Sequence, residues 1–404
     1  MRYMNYINPF NLNQTTRKDT MDLVCFSHLR WNFVYQRPQH LMSRFLKHGR
    51  VYFIEEPLFD AEHTSYLELS RKENLTIVIP HLKHDLSGQD PTLQQINLLK
   101  DLFKEEAIID YFFWYYTPMA LTIGNSFTPK FIVYDCMDEL SSFKFAPPEL
   151  KEREKELFSK ADLVFTGGYN LYHAKKSFHH NIYPFPSSID KEHFMQARQI
   201  IADPVDQTDI PHPRFGFYGV VDERFDIDLI KEVAERKPEW QFVIIGPVIK
   251  IDSESLPIMN NIHYLGSKNY KELPLYLAGW GVAIIPFLRN EATKHVSPTK
   301  TPEYLAGGKP VISTSIIDVV TPYGTNNLVH IADTADEFIA AAELELNRVD
   351  RSQWLQKTDA FLSKNSWDKT WRKMVRLINN TRDSKLNGKS NNIISNLNKE
   401  KIYV

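Results

Sequence analysis

Residues Leu288–Thr314 read L-R-N-E-A-T-K-H-V-S-P-T-K-T-P-E-Y-L-A-G-G-K-P-V-I-S-T, and this stretch decides the predicted fold. The apolar run Val282–Phe287 precedes it and predicts a strand, which leads into a polar loop with three cationic side chains. A short helix carrying Glu303 follows, the Gly307–Gly308 pair ends that helix, and Pro310–Ile312 begins another strand. This order of elements predicts an open α/β sheet with its polar groups at the ligand-binding edge.

Two positions compete as the start of the helix, because each has a capping hydroxyl followed by proline: Ser297–Pro298 and Thr301–Pro302. The earlier start would place the free amides of Thr299 and Lys300 at the mouth of the loop, where they and the helix dipole attract an anion. Glu303 would then lie about one turn further along, where it could accept both hydroxyls of a ribose. The stretch therefore suits a nucleotide diphosphate, although a capped surface helix with an acid in its first turn explains the same residues.

Residues 297–311, S-P-T-K-T-P-E-Y-L-A-G-G-K-P-V, resemble the donor-binding signature of GT-B glycosyltransferases, in particular the retaining family 4. In that family a glutamate before a small-residue helix end binds the ribose of a nucleotide sugar, and Glu303 matches it. The family's second glutamate, eight positions earlier, is replaced here by His295, which the resemblance places beside the transferred sugar. With Q-R-P-Q-H-L at residues 36–41 and Y-D-C-M-D-E at residues 134–139, the chain looks like a bacterial subgroup that includes the teichuronic-acid biosynthesis glycosyltransferases.

The composition indicates a folded protein of two domains, with 404 residues, 43% of them hydrophobic and 13% aromatic. A net charge of -2 argues against nucleic-acid binding through a basic face. Cys25 and Cys136 lie in apolar runs without Cys or His at ligand spacing, so we expect buried reduced thiols. The triplet D-I-D at residues 226–228 stands at a predicted helix start, where capping explains it better than metal binding, and we assign no metal.

The first twenty residues lack the apolar segment of a signal peptide, and no apolar run reaches the length of a membrane span. We therefore expect a soluble, cytoplasmic protein. Peripheral contact with the inner face of the plasma membrane stays open.

Residues 21–194 predict an N-terminal, acceptor-side Rossmann-like domain, because short apolar runs alternate with helical segments as in a parallel, doubly wound sheet. Its first strand, Leu23–Ser27, is followed by a loop dense in polar and aromatic groups, H-L-R-W-N-F-V-Y-Q-R-P-Q-H. Such a loop faces the ligand crevice, so His28, Arg30 and Arg37 are candidates for contact with a phosphate or a sugar. In the alternative interpretation, the aromatic residues anchor the loop and Arg37 pairs with a carboxylate.

A second functional edge follows the predicted strand Phe131–Tyr134, where Y-D-C-M-D-E-L places Asp138 at a strand end. A carboxylate there could act as a base toward an acceptor hydroxyl or hold a hydroxyl of the donor sugar. Helix capping and surface solvation are the alternatives. The catalytic candidates are Asp138 and His28, and the candidates for contact with the acceptor or the transferred sugar are Arg30, Arg37 and His295.

Residues 195–213 contain prolines and polar residues without a sustained pattern, and they predict an interdomain linker. A new α/β unit, residues 214–362, begins with the strand Phe215–Val220 and predicts the donor domain. Arg224 lies in the loop after this strand, where related GT-B enzymes place a cation on the donor diphosphate. A surface salt bridge from Arg224 to Glu223 or Asp226 is the alternative. The candidates for donor contact are Gly219, Arg224, Gly246, Ser297, Thr299, Lys300 and Glu303.

The two ends of the chain are predicted to differ. Residues 363–380 predict a helix, which the resemblance to GT-B enzymes would send back across the N-terminal domain. We expect residues 1–20 to be a loose leader, and residues 381–404, which are polar and rich in Asn and Lys, to be a disordered tail.

Together with the resemblance, these features predict a GT-B glycosyltransferase that moves a sugar from a nucleotide diphosphate sugar, with a UDP-sugar favoured, to a cell-surface polysaccharide or a lipid-linked glycan precursor. Fixed cations and a helix end would stabilise the leaving group without a metal or another cofactor. Retention of configuration is implied by the likeness to family 4, and inversion follows if Asp138 deprotonates the acceptor. Two alternatives stay open: a non-hydrolysing nucleotide-sugar epimerase, which would consume the donor without an acceptor, and a catalytically inactive nucleotide-sugar-binding protein.

Overall fold

Two β-sheets organise the computed structural model, which describes residues 21–83, 90–200 and 202–386. The strands of the N-terminal sheet are β1 (Asp22–Ser27), β2 (Val51–Glu55), β3 (Leu58–Ala61), β4 (Tyr66–Lys72), β5 (Leu75–Lys83), β6 (Tyr111–Tyr115), β7 (Ile132–Cys136), β8 (Leu163–Thr166) and β9 (Ile182–Pro184). In the described residues they lie in the order β3-β5-β2-β1-β6-β7-β8-β9, with β4 also paired to β5.

The C-terminal sheet has six strands in the described part of the chain, and all of its pairings there are parallel. They are β10 (Arg214–Tyr218), β11 (Gln241–Ile245), β12 (Ile262–Tyr264), β13 (Val282–Ile285), β14 (Val311–Ser313) and β15 (His330–Ile331). Their order is β12-β11-β10-β13-β14-β15, so the chain changes direction across the sheet at β10 and β13. Ligands of open α/β sheets bind at such a switch point.

Helices connect the strands of both sheets. Their bounds are α1 (Arg37–Phe45), α2 (Pro91–Glu105), α3 (Leu121–Gly124), α4 (Leu150–Lys160), α5 (Tyr169–Lys175), α6 (Lys191–Met195), α7 (Val205–Thr208), α8 (Ile227–Arg236), α9 (Leu273–Ala278), α10 (Lys300–Ala306), α11 (Ile317–Val319), α12 (Ala335–Leu346), α13 (Arg351–Leu362) and α14 (Trp367–Leu386).

The central strands are apolar because both faces of each sheet are covered. In β1, Val24 and Phe26 enter one hydrophobic cluster, whereas Leu23 and Cys25 enter the cluster on the opposite face. That second cluster includes Trp367 and other side chains of α14, so the last helix of the described chain packs on the N-terminal sheet. The predicted α/β class is confirmed.

Helix capping explains the D-I-D triplet, as the sequence predicted. The Asp226 carboxylate accepts a hydrogen bond from the Leu229 amide at 3.0 Å, at the first turn of α8. None of the helices in the described residues has the length and apolar content needed to cross a bilayer.

Four predictions about the chain's organisation need correction or lie outside the described residues. The N-terminal sheet is not wholly parallel, because β4 runs antiparallel to β5 after a turn at Glu73, whose φ is 53°. Residues 381–386 continue α14 rather than starting a disordered tail, and the predicted linker contains α7. The predicted leader, residues 1–20, and residues 387–404 lie outside the described chain.

Candidate active site

The main candidate site is a cleft of about 360 Å³ at the strand ends of the C-terminal sheet, closed on one side by an N-terminal loop. The N-terminal contribution is the loop Trp31–Gln36, which follows β1. The C-terminal contribution comes from the ends of β10 and β11, the segment before α9, and the first turn of α10. Six of the seven predicted donor contacts line this cleft: Gly219, Arg224, Gly246, Thr299, Lys300 and Glu303.

Two glycines form the floor of the cleft where β10 and β11 end. Gly219 and Gly246 have φ values of 143° and 140°, which favour glycine. A Cβ atom on Gly246 would lie 1.8 Å from the carbonyl oxygen of Gly219, so the two turns pack with no room for side chains. Because these turns carry no side chains, their backbone is exposed to the cleft. In α/β folds, glycines at such turns let a diphosphate approach the backbone closely.

Lys300 lies directly over this floor. A Cβ atom on Gly219 would lie 2.2 Å from Cε of Lys300, and the Lys300 Nζ sits 5.4 Å and 5.6 Å from the ring centres of Phe217 and Phe287. Burial and the positive charge of Arg224 lower the pKa of Lys300 to about 8. A bound anion would oppose this shift, because it would add to the negative charge of Glu303, Asp222 and Asp138, which already raises the pKa of Lys300.

Arg224 provides the second cation. Its Nε and Nη2 atoms donate to the carboxylate of Asp222 at 2.6–3.1 Å, whereas its Nη1 atom has no hydrogen-bond partner among the described residues. The guanidinium also lies 5.3 Å from the ring centre of Phe143, on the N-terminal domain. Arg224 therefore forms a salt bridge, as in the alternative prediction, but its partner is Asp222 instead of Glu223 or Asp226. The salt bridge orients the guanidinium and leaves its Nη1 atom without a hydrogen bond to a described residue.

Glu303 is buried in the cleft wall, on the first turn of α10. The hydroxyl of Tyr218 donates to its carboxylate at 2.8 Å, and burial raises the pKa of Glu303 to about 8. The helix begins at Lys300, with Thr299 as its N-cap residue, so it uses neither of the two predicted starts. Because a turn spans about 3.6 residues, Glu303 still lies about one turn from Lys300.

Asp138 faces the cations from the N-terminal domain, whereas the cation near His28 is Lys250, and neither predicted catalytic residue lines the described cleft. Burial raises the pKa of Asp138 to about 6, although Arg224, Arg37 and Lys300 oppose the rise. Burial and the charge of Lys250 lower the pKa of His28 to about 4, and its buried Nδ1 has no hydrogen-bond partner in the described structure. His28 is therefore neutral near pH 7, and its buried Nδ1 has unused hydrogen-bonding capacity.

The structure does not bring Arg37 to the cleft. Its guanidinium is 2% exposed, donates through Nε and Nη2 to Asp135 at 2.7–3.1 Å, and donates through Nη1 to the carbonyl oxygen of Phe185 at 2.7 Å. Arg30 is partly exposed but donates to the Glu55 carboxylate at 3.0 Å. Arg37 thus pairs with a carboxylate, as in the alternative interpretation. The geometry does not support the predicted contact of Arg37 with a sugar.

His295 and Ser297 lie at a contact between the domains. His295 Nδ1 is 2.9 Å from the side-chain nitrogen of Asn170, and burial lowers its pKa. The Ser297 hydroxyl hydrogen-bonds to Asp318, whose carboxylate also accepts the backbone amides of Tyr169 and Asn170 at 3.1 Å. Neither residue lines the cleft as the structure describes it.

Sequence reasoning missed three residues that shape the site. Tyr218 was part of a predicted apolar strand, yet its hydroxyl holds Glu303. Tyr270 lines the cleft and stacks on Tyr35 of the N-terminal loop with ring centres 4.5 Å apart. The charge of Lys250, on the C-terminal domain, lowers the pKa of His28. Of these three residues, only Tyr218 could have been found from the sequence, since it directly precedes Gly219 at the predicted ligand-binding edge. Across residues 21–83, 90–200 and 202–386, no group of three His, Cys, Asp or Glu side chains could hold a metal ion.

Comparisons with known proteins agree with this geometry. Residues 213–347, which include β10 to β15, match the family described as Glycosyl transferases group 1. TuaH of Bacillus subtilis (strain 168), described as a teichuronic acid biosynthesis glycosyltransferase, is 23% identical over 300 residues, which cover 67% of this chain and 68% of TuaH. The protein is a glycosyltransferase.

Solved structures show that the glycosyltransferase has the predicted GT-B fold. An E. coli trehalose-6-phosphate structure bound with UDP-2-fluoro glucose has a TM-score of 0.65 and 13% identity, covering 89% of this chain and 99% of that one. Sucrose-phosphate synthase from Thermosynechococcus elongatus has a TM-score of 0.65 and 12% identity, with the same coverage. The predictions of fold and enzyme class are confirmed, and the epimerase and inactive-protein alternatives are not favoured.

Proposed function

We propose that the glycosyltransferase binds a nucleotide diphosphate sugar, with a UDP-sugar favoured, in the cleft over Gly219 and Gly246. The observation that carries this proposal is the placement of two cations, Lys300 and Arg224, above a backbone floor, with the Glu303 carboxylate one helical turn away. The cations suit the two phosphates and the carboxylate suits the ribose hydroxyls. The UDP preference rests on the structural relative with a bound UDP-sugar.

In the proposed reaction, the bond between the sugar's anomeric carbon and the diphosphate breaks while the oxygen of an acceptor hydroxyl forms the new bond, and the hydroxyl proton passes to the departing diphosphate oxygen. Lys300, and the edge of Arg224 that Asp222 leaves unused, stabilise the charge that develops on the diphosphate. These fixed cations take the role that a metal ion has in other transferases, so we propose a metal-independent reaction. We also propose retention, and an inverted product would assign Asp138 as the base.

For the acceptor, we propose a cell-surface polysaccharide or a lipid-linked glycan precursor, on the similarity to TuaH. The acceptor would enter along the N-terminal edge, where Asp138 faces Arg224 and Lys300 and where His28 lies near Lys250. A lipid-linked acceptor would require peripheral contact with the inner face of the plasma membrane. Both points belong to the proposal and are open to test with membrane fractions as the acceptor source.

Calorimetric titration with UDP, GDP and their common sugars tests the donor site. We expect one nucleotide to bind, and Glu303→Ala to weaken its binding by about 1.5–3 kcal/mol above the Glu303 pKa of about 8, where a charged hydrogen-bond partner is lost. Tyr218→Phe removes the hydrogen bond that holds Glu303 but keeps the carboxylate, so its loss should be smaller. Glu291→Ala, at an exposed position of the same region, is the matched control. Failure of folded protein to bind any of these nucleotides would overturn the proposal.

The pH profile of sugar transfer tests Asp138. The charged form is needed both for a base and for holding a sugar hydroxyl, and it predominates above the pKa of about 6. We expect kcat/KM to rise with pH through about 6. Asp138→Asn should lower the rate by about 10²-fold or more. Nucleotide binding should not weaken in this variant, because the lost carboxylate competes with the diphosphate for Arg224 and Lys300. An unchanged rate would remove Asp138 from the site.

A further inference from the structure

A second cavity, of about 300 Å³, lies wholly within the N-terminal domain. It opens at the ends of β1, β2 and β6, the edge that also presents His28. We call it the Gln95 pocket, because the side chain of Gln95 reaches into it from α2. The other residues used below are Glu55, Thr117, Met119 and Phe59, and all of them line it.

The polar groups of this pocket are buried but incompletely paired. Gln95 is 4% exposed, and its side-chain amide makes no hydrogen bond to a described residue, although its polar atoms are not among the fully buried atoms that lack partners. The amide therefore keeps access to the pocket, where a bound ligand or water can form its hydrogen bonds. Thr117 is also buried, and its hydroxyl oxygen accepts from the Met119 amide at 3.3 Å while donating to no described residue.

Apolar groups complete the lining. Phe59 lies at the rim with 53% of its surface exposed, and Met119 lies further in. A pyranose ring has this same division, with hydroxyl groups around its edge and C–H bonds on its faces. A hydrocarbon chain would cover Phe59 and Met119 equally well, but it would leave the amide of Gln95 and the hydroxyl of Thr117 without partners, which is unfavourable in a buried site.

We propose that the Gln95 pocket binds a neutral pyranose unit of the acceptor glycan, outside the unit that reacts. Neutrality follows because the described lining of the pocket contains two carboxylates, Glu55 and Glu56, and no cation; Arg30 pairs with Glu55, so Glu56 would repel an acidic sugar. The inference rests on the proposed function for the existence of a glycan acceptor. It adds a subsite that the donor cleft does not contain.

Glu55 connects the pocket to the donor cleft. One carboxylate oxygen accepts the backbone amide of Trp31 at 2.7 Å, and the other accepts from Arg30 at 3.0 Å. Trp31 begins the loop that lines the donor cleft. A sugar that hydrogen-bonds to Glu55 would therefore also support the loop that closes over the donor, and this gives Arg30 a positioning role in place of direct sugar contact.

Ligand-observed NMR with methyl glycosides of glucose, N-acetylglucosamine, galactose and glucuronic acid tests the proposal, with UDP titrated in parallel. We expect at least one neutral glycoside to bind the full-length protein, the glucuronide to bind less well, and Gln95→Leu to weaken the neutral glycoside by roughly tenfold or more. UDP affinity should not change. Gln94→Leu is the matched control, because Gln94 is the adjacent residue on α2 and does not line the pocket.

Three results would overturn the proposal. They are the absence of binding by every neutral glycoside, binding that Gln95→Leu leaves unchanged, and tighter binding of octyl glucoside than of methyl glucoside to the wild-type protein, which would identify a hydrocarbon site. If the wild-type protein did not bind UDP, this result would contradict the proposed function but not the proposal for the Gln95 pocket. The glycoside measurements would still decide the pocket, because they need no donor.

Discussion

Lys300→Met is expected to lower kcat for sugar transfer by about 10²–10³-fold, as removal of one preorganised group that stabilises developing charge does in other enzymes. Lys300 is the cation nearest the glycine floor, and the rings of Phe217 and Phe287 hold its Nζ in place. Methionine keeps most of the side-chain length and apolar contact but removes the charge. The measurement is the rate of nucleotide diphosphate release from the donor identified by calorimetry.

Two further variants test whether the effect of Lys300→Met on the rate is specific to the charge and size of the side chain at this position. Lys294→Met removes an exposed lysine that pairs with Glu291 in the preceding loop, and it should leave the rate unchanged. Lys300→Arg should recover little, because the lysine side chain already lies against Gly219 and a guanidinium needs more room there. Full turnover by Lys300→Met would show that the leaving group departs elsewhere in the cleft.

Arg37→Met is expected to lower the free energy of unfolding by about 3–5 kcal/mol, because it leaves the Asp135 carboxylate buried without its partner. Asp135 is 0% exposed, and Arg37 holds both of its oxygens. Urea unfolding followed by tryptophan fluorescence measures the change. The difference in the free energy of unfolding between Arg37→Met and the wild type should decrease as the pH falls toward about 3.9, the usual pKa of aspartate. Protonation of Asp135 then removes the uncompensated charge.

The double variant Arg37→Met with Asp135→Leu should recover much of this loss, since replacing a whole buried ion pair by apolar residues is often neutral or stabilising. Arg44→Met is the matched control on the same helix. Arg44 is 20% exposed and pairs with Asp368, which is 65% exposed, so solvent screens the pair and its loss should cost less than about 1 kcal/mol. An Arg37→Met protein as stable as the wild type would contradict a structural role for Arg37 and reopen its predicted contact with substrate.

The sequence by itself determined the local pieces of the site. The run from Val282 to Ile312 predicted a strand, a loop, a helix with Glu303 and a second strand, and all four are present. Gly219 and Gly246 were also found, because a strand that ends in glycine is a local pattern. Such features depend on residues close together in the chain, where periodicity, proline and glycine limit the possible conformations.

Only the tertiary structure decided which side chains face the cleft. Arg37 and Arg224 both follow a strand in a predicted ligand-facing loop, yet Arg37 meets Asp135, 98 residues away, and is buried with it. His295 similarly meets Asn170, 125 residues away, at the contact between the domains. The sequence records the charge of each residue but not the distant partner that neutralises it. A cation therefore becomes part of a binding site only where folding leaves some of its hydrogen-bonding capacity unused, as it does for Arg224.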